Sequence, residues 1–264
     1  MNNNDFFVSI IIPVYNGDAY LSDAVESIRR QNYNPLEIII IDDGSTDRTA
    51  EIAGDLRGDV CYIYQRNCGP SSARNRGVKM ARGEVIGFLD VDDLWPKNKL
   101  HVQLACLTRR PDVEIVLGYI QRMRLIEDIN NKPGWKQFSA PFPCFSFGAG
   151  LFRRNVFDKV GLLDEDLHAG EDLDWFYRAK ECNVSMLTLE QVTLLYRRHG
   201  NNMTREQDFR ERYFIAALKK ALDRRRHQGN SQITHLPRPF DPSGQPLRTS
   251  DKEPEQNERN TSDF

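Results

Sequence analysis

The sequence has few cysteines, and they are not arranged as a metal site or a disulfide framework. Five cysteines are scattered along 264 residues without a CxxC pair, which favours reduced thiols in a cytoplasmic protein. A basic surface is lacking as well, because the formal net charge is −2 and no basic block interrupts the main body. We therefore expect no nucleic-acid partner.

Long hydrophobic runs are also missing. The N-terminal stretch MNNNDFFVSIIIPVYNG has no basic n-region, and Pro13 interrupts its short apolar run. This stretch predicts neither a signal peptide nor a membrane-spanning helix. With 39% hydrophobic and 28% charged residues, the chain can nevertheless bury a large core. Its length suits one substantial domain, with or without an appendage.

The sequence does contain an alternation of strand and helix patterns. Apolar runs predict four strands, at 8–15, 36–42, 60–64 and 84–90, and helical spacing predicts helices between them. This order indicates an α/β fold with a mostly parallel central sheet and helices on both faces. Ligands of such sheets bind beyond the carboxyl ends of the strands, where Tyr15, Asp42 and Asp90 fall.

After residue 100 the alternation loosens. We predict a helix near 97–109, a strand at 113–119, a loop at 130–150, a helix at 171–181 and an extended segment near 184–196. The predicted single domain covers 1–228 and comprises a nucleotide-binding half (about 7–100), an acceptor half (101–205) and a C-terminal helix (205–228). The polar, Pro-rich tail at 229–264 lacks the apolar residues that would offset its ordering entropy, so we predict disorder there.

The first strand-to-helix turn argues against a dinucleotide-binding Rossmann unit. That unit requires GxGxxG at this position, whereas the turn reads PVYNGDAYL with a single glycine, Gly17. The turn instead offers Tyr15, whose ring can stack on a base. The second strand ends at Asp42, whose carboxylate could accept a hydrogen bond from a pyrimidine imide. For Asp43, Ser45 and Asp47 the alternative is an Asx turn that caps the next helix.

Two clusters of carboxylates require an explanation. The first, in GFLDVDDLW, holds Asp90, Asp92 and Asp93 within four positions, and two carboxylates ~4 Å apart repel by about 4 kcal/mol at the effective dielectric of a protein surface. A solvated turn, a helix N-terminus or a bound cation would offset this repulsion. The second cluster, in HAGEDLDWFYRA, contains Glu171 and Asp172 at a helix start, where acids also interact favourably with the helix dipole.

Six segments in sequence order resemble the motifs of family 2 glycosyltransferases, which have the GT-A (Rossmann-like) fold. They are SIIIPVYNG, IIIDDGSTD, NCGPSSARNRG, GFLDVDDLWPKNKL, GEDLDWFYRA and YRRHGNNMT, and the resemblance covers about residues 7 to 205. The resemblance implies an inverting hexosyltransferase that uses a nucleotide-diphosphate sugar and a divalent cation, Mg²⁺ or Mn²⁺. Both cations prefer oxygen ligands, and Mg²⁺ is commonly held by one or two carboxylates together with substrate phosphates.

The resemblance also implies roles for individual residues. Pro13 and Tyr15 match residues that line the base pocket, Asp42 the carboxylate that binds uracil, Arg74 the basic residue near the base and phosphates, Asp90 and Asp92 the outer residues of the DxD motif, Asp172 the catalytic base, and His199 a residue that contacts the metal or the diphosphate. In this scheme Asp92 binds the cation and Asp90 the ribose or metal region. Arg197 and Arg198 are either phosphate contacts or solvated charges.

The sequence therefore predicts a metal-dependent enzyme of polysaccharide biosynthesis that transfers a sugar, favoured to be UDP-linked, to a saccharide or lipid-linked acceptor. One alternative is a catalytically inactive module that binds sugar nucleotides, and another is a glycoside hydrolase with a carboxylate pair. The expected location is cytoplasmic. The basic residues of the helix at 205–228 leave open a peripheral contact with the inner face of a membrane.

Overall fold

The computed structural model describes residues 6–56, 58, 60–127, 133–167, 170–200 and 207–227. The described residues contain nine strands of one sheet: β1 Val8–Val14, β2 Leu36–Asp42, β3 Val60–Tyr64, β4 Val85–Phe88, β5 Ile115–Glu127, β6 Pro133–Gln137, β7 Phe142–Pro143, β8 Leu151–Arg153 and β9 Met186–Arg198. They also contain seven helices: α1 Leu21–Arg29, α2 Thr49–Asp55, α3 Pro70–Met80, α4 Lys99–Arg109, α5 Asn155–Val160, α6 Glu171–Glu181 and α7 Gln207–His227.

The sheet is mixed and has a parallel first half. Its strand order is β3-β2-β1-β4-β8-β5-β6, and both β7 and β9 also pair with β5. Strands β1 to β4 are parallel, β8 is antiparallel to β4 and β5, and β9 is parallel to β5. In the register of the first three strands, Asp42 lies opposite both Val14 and Tyr64. The carboxyl ends of these strands therefore form one edge, and the site lies there.

Helices cover both faces of the sheet, as the sequence predicts. Successive residues of a strand point to opposite faces, and β1 shows this directly: Ile10 and Ile12 pack with residues of α1 and α4, whereas Ile11 packs with residues of α3, α5 and α6. Helix α3 approaches β1 so closely that a Cβ atom on Gly77 would lie 2.4 Å from the Ile11 side chain. A glycine at this position lets α3 bring Arg74 against the sheet.

The predicted loop at 130–150 is wrong in part, because β6 and β7 lie within it. Both are short strands that pair antiparallel with β5. Pro133 is the first residue of β6, a strand position where proline is tolerated. The Pro- and Gly-rich composition of residues 130–150 therefore does not indicate these two strands, whose pairing depends on the long strand β5.

No helix among the described residues is both long and apolar enough to cross a membrane. The predicted disorder at 229–264 concerns residues outside the described part of the chain. The division into a nucleotide-binding half and an acceptor half stays a prediction.

Candidate active site

The turn that follows β1 is held by side chains of the segment after β2. Three of its backbone amides donate to that segment: Asn16 N to Ser45 Oγ (2.9 Å), Gly17 N to Thr49 Oγ1 (2.9 Å) and Asp18 N to Asp47 Oδ2 (3.0 Å). Asp47 also accepts from Thr49 N at 3.0 Å, at the start of α2. Ser45 and Asp47 therefore fix two turns together. The result is a rigid turn from which Tyr15, 54% exposed, presents its ring at the sheet edge.

Asp42 lies at the end of β2 with its carboxylate fully buried. Its Oδ2 accepts from the Tyr62 hydroxyl at 2.6 Å, and its Oδ1 accepts from Ser45 N at 2.7 Å. Burial and the bond to Asp42 raise the pKa of Tyr62, so its proton stays on the hydroxyl. Each carboxylate oxygen has two lone pairs, and one on each oxygen is used within the protein. The predicted contact of Asp42 with a base stays a prediction.

The neighbouring carboxylate of Asp43 orders the loop that begins α3. Its Oδ1 accepts from Gln65 Nε2 at 2.8 Å and from Cys68 N at 2.9 Å, while Oδ2 accepts from Gly69 N at 2.8 Å. Gly69 has a φ of +90°, which favours glycine, and Pro70 follows as the first helical residue. Asp43 thus fixes where α3 starts and, through it, where Arg74 lies.

Arg74 connects two acidic segments that are far apart in sequence. Its Nη2 donates to Asp90 Oδ1 at 2.7 Å, and its Nη1 donates to Glu171 Oε1 at 2.9 Å. The arginine side chain is only 10% exposed. Burial opposes the charge, but the carboxylates of Asp90 and Glu171 raise the pKa of Arg74. The predicted nucleotide-binding residues Arg74 and Asp90 therefore lie together, next to the start of α6, which carries the predicted catalytic base Asp172.

Asp172 is the second residue of α6 and has an unusual pKa. Burial and then the neighbouring Glu171 carboxylate raise this pKa to about 7, while Arg74 and the hydrogen bond from Leu173 N (2.7 Å) oppose the shift. A carboxylate with a pKa near neutral pH is well suited to accept and release a proton. Burial and the charge of Asp172 raise the pKa of Cys144. Sequence reasoning did not single out this thiol.

The loop after β4 carries the other two carboxylates of the acidic motif. His199 Nε2 lies 3.0 Å from Asp92 Oδ2, and its ring stacks on Tyr20 with centroids 4.9 Å apart. Asp93 faces the interior and is 2% exposed, and its Oδ1 accepts from Arg197 N at 2.9 Å. Burial, together with the charges of Asp92 and Asp90, raises the pKa of Asp93 well above its usual range. The structure thus brings Asp92 and His199 together.

The residues of this loop fit a metal site that a substrate completes. Among the residues that the structure describes, no group of three or more His, Cys, Asp or Glu side chains is placed to hold a metal ion alone. The side chains of Asp90 and Asp92 are 43% and 26% exposed, so both remain accessible at the sheet edge. This donor set suits a hard cation held by carboxylates together with substrate phosphates.

Two predicted residues lie differently from what the sequence suggested. Pro13 is buried within β1, opposite Ile41 of β2, so its place near a base stays a prediction. Arg197 is 1% exposed and donates to carbonyl oxygens of the 91–93 loop, so its prediction as a solvated charge is wrong. Its contact with a phosphate stays a prediction, and so does that of Arg198, which is exposed.

Comparisons with known proteins agree with this architecture. An uncharacterized glycosyltransferase of Rickettsia typhi is 35% identical over 208 residues, which cover 71% of this chain and 62% of that protein. The uncharacterized glycosyltransferase EpsJ of Bacillus subtilis is 30% identical over 217 residues, with 75% and 62% covered. The chain thus spans a little over three fifths of the length of these curated relatives.

Two solved structures share the fold at low identity. Staphylococcus aureus TarS 1–349 in complex with UDP-GlcNAc superposes with a TM-score of 0.65 at 21% identity, and the match covers 82% of this chain and 66% of the TarS chain. The mannosyltransferase PcManGT of Pyrobaculum calidifontis, in complex with GDP-Man and Mn²⁺, superposes with a TM-score of 0.63 at 19% identity, and the match covers 84% of this chain and 65% of the PcManGT chain. These structures confirm the predicted GT-A fold. The model of the family described as "Glycosyl transferase family 2" matches residues 9–161, more than half of the chain, and this chain belongs to that family.

Proposed function

We propose that this chain is an inverting, metal-dependent glycosyltransferase that uses a nucleotide-diphosphate sugar. The observation that carries the proposal is the arrangement around Arg74, which joins Asp90 of the acidic loop to Glu171, the neighbour of Asp172. This arrangement places the carboxylate of Asp90, on the proposed donor side, and the carboxylate of Asp172, with a pKa near 7, close to the buried guanidinium of Arg74. Membership of family 2 supports a transferase over a glycoside hydrolase.

The donor would bind at the carboxyl edge of β1, β2 and β4. Tyr15 offers an exposed ring on a rigid turn. Asp42 offers a carboxylate at the end of β2, in register with the last residues of both neighbouring strands, β1 and β3. A pyrimidine imide would have to reach a remaining lone pair of Asp42, which favours a UDP-linked sugar. The related folds in complex with UDP-GlcNAc and GDP-Man support a nucleotide sugar in general.

Asp92, Asp90 and His199 would hold the divalent cation. A bound Mg²⁺ or Mn²⁺ supplies electrostatic stabilisation of the charge on the departing diphosphate. Asp92 and His199 already contact each other at 3.0 Å, so little rearrangement is needed to turn both toward one partner. Arg74 donates to Oδ1 of Asp90 at 2.7 Å and so orients the Asp90 carboxylate.

Asp172 would act as the general base. The hydroxyl of the acceptor must lose its proton as it attacks the anomeric carbon, and a carboxylate within hydrogen-bond reach can accept that proton. Glu171 is less suited to this step, because its Oε1 is engaged by Arg74. One attacking oxygen and one base imply a direct displacement with inversion at the anomeric carbon.

The alternative is an inactive module that binds sugar nucleotides without turnover. Such a module would need the donor-binding edge but no base, and the raised pKa of Asp172 speaks against it. The saccharide or lipid-linked acceptor, a role in polysaccharide biosynthesis, the cytoplasmic location and a contact with the inner face of a membrane all belong to this proposal.

A panel of nucleotide sugars tests the proposal. We expect Mn²⁺-dependent release of UDP from one UDP-sugar, and tighter binding of UDP with Mn²⁺ than without it in calorimetry. Binding without turnover across all donors and acceptors would favour the inactive module. Hydrolysis of a saccharide without nucleotide or metal would favour the glycoside hydrolase.

A further inference from the structure

Arg197 is among the largest fully buried side chains of the described residues, although it carries a charge. It lies near the carboxyl end of β9. Arginine stays charged in proteins, and a buried charge is costly unless it is paired and hydrogen-bonded. The partners of its N–H groups therefore indicate what this side chain does.

Most of the contacts run to the loop at 91–93. Nε of Arg197 donates to the carbonyl oxygen of Asp92, and Nη2 lies 3.5 Å from the carbonyl oxygen of Val91. The main-chain N–H of Arg197 donates to Oδ1 of Asp93 at 2.9 Å. One residue of β9 therefore contacts all three residues of the loop that carries the proposed metal ligand.

Aromatic rings flank the guanidinium group of Arg197. The Cζ atom of Arg197 lies 5.0 Å from the ring centroid of Tyr20 and 5.4 Å from that of Trp135, within the range of cation–π attraction. Tyr20 also stacks on His199, which contacts the Asp92 carboxylate. Asp92 is thus held at its main chain by Arg197 and at its side chain by His199.

Attachment of the loop to β9 does not by itself require an arginine. Leu94 and Leu195 exchange two main-chain hydrogen bonds, of 3.1 and 2.8 Å, which already join the end of the loop to the strand. The ion pair from Nη1 of Arg197 to Asp23 involves a carboxylate that is 65% exposed, and such a pair adds little stability. A well-packed apolar side chain often replaces a buried ion pair without loss of stability.

We propose that Arg197 is a positioning residue for the metal-binding loop. It holds the carbonyl groups of Val91 and Asp92 and places a positive charge beside the carboxylates of the loop, so that the Asp92 side chain stays turned toward the cation and the nucleotide diphosphate. This inference rests on the proposed function, because it takes Asp92 as a ligand of the cation. Partners that orient metal ligands typically contribute about 10- to 100-fold to metal affinity.

Calorimetry with UDP as the probe, without metal and with Mn²⁺, tests this inference. We expect Arg197→Met to lower the Mn²⁺-dependent gain in UDP affinity by about 10- to 100-fold, with little change in the affinity measured without metal. Arg197→Lys, which keeps the charge but not the planar fork, should lose part of the gain. Arg109→Met removes an exposed arginine at the end of α4, outside the candidate site, and should behave as the wild type.

A purely structural role would lower the melting temperature without changing the ratio of the two affinities in folded protein. A folded Arg197→Met variant that keeps the full Mn²⁺-dependent gain would therefore overturn the inference. If Arg197→Met does not fold, Arg197→Lys decides in the same way, and an unchanged gain in that variant overturns it. A wild-type protein that binds UDP without any Mn²⁺ dependence would overturn the proposed metal site and this inference together.

Discussion

The Nη1 atom of Arg74 lies 2.9 Å from Oε1 of Glu171, and this ion pair joins α3 to the first residue of the helix that carries the proposed base. Arg74 simultaneously binds Asp90 at 2.7 Å. Because Arg74 lowers the pKa of Asp172 against the effects of burial and Glu171, the protonation of the proposed base depends on a residue of the proposed donor site.

Arg74→Gln should therefore shift the pH dependence of catalysis. Asp172 must be ionised to accept a proton, so we expect kcat/KM of the wild type to rise with pH through about 7. Without the Arg74 charge the pKa of Asp172 rises further, and the rising limb should move upward by roughly one pH unit or more. Lys79→Gln, an exposed charge on the same helix, is the control. Identical profiles for Arg74→Gln and wild type would contradict the coupling.

Asp172→Asn should stabilise the folded protein, and more so at high pH. The pKa of Asp172 is about 7 when folded, against 3.8 as the reference for the unfolded chain. The wild type therefore loses stability as pH rises between these values and keeps that loss above pH 7. We expect the melting temperature of Asp172→Asn to exceed that of wild type clearly at pH 8 and hardly at pH 4.

The matched control for this experiment is Asp174→Asn on the same helix. Asp174 is 1% exposed and accepts from both Arg178 and Arg224, so its replacement removes a charge that two partly buried guanidinium groups share, although Arg224 keeps its ion pair with Glu181. We expect a loss of about 1.5–3 kcal/mol in the free energy of unfolding at neutral pH, the range for hydrogen bonds to a charged group. Destabilisation by both substitutions at pH 8 would contradict the raised pKa of Asp172 in the folded protein.

Asp92→Asn should abolish the metal dependence of nucleotide binding. The amide is a weaker ligand than a carboxylate for a hard cation, and it removes one charge that the cation would neutralise. UDP affinity measured with Mn²⁺ should fall to the value without metal, whereas the exposed control Asp112→Asn should keep the difference. Full activity of Asp92→Asn in the presence of a chelator would exclude a metal from the reaction.

Asp42→Asn should weaken UDP binding by about 1.5–3 kcal/mol, the range for a hydrogen bond to a charged group. Asn keeps an acceptor for Ser45 N, so the turn is preserved. Tyr62→Phe removes the other internal partner of Asp42 but leaves its charge, and UDP affinity should be retained in that variant. Equal affinity of Asp42→Asn and wild type for UDP would make Asp42 a turn residue alone.

The regular part of the fold could be predicted from the sequence. The strands at 36–42 and 60–64 match β2 and β3 residue for residue, because continuous apolar runs between turn residues leave few alternatives. The sequence does not indicate the strands β6 and β7, since their pairing depends on the neighbouring strand β5 rather than on their own composition. Tertiary context commonly overrides strand propensity in this way.

The candidate site was predictable only where residue type limits the chemistry. The carboxylates Asp90 and Asp172 stand out because acids cluster at the ends of elements, and the structure brings both around Arg74. The role proposed for Arg197 is not predictable from the sequence, because its acceptors include a main-chain carbonyl 105 residues away in the sequence. Every residue type carries a main-chain carbonyl group, so the sequence does not indicate which residues a buried arginine binds through such groups.

Single-turnover transfer by Asp172→Asn, measured together with donor affinity, tests the proposed catalytic role most directly. If Asp172 takes the proton of the acceptor, the transfer rate should fall by about 10²–10⁴-fold, while the affinity for the donor stays close to that of wild type. Glu171→Gln, which changes the other acid at the helix start, should reduce the rate less. A folded Asp172→Asn variant that binds donor and transfers sugar at the wild-type rate would contradict the assignment of the base.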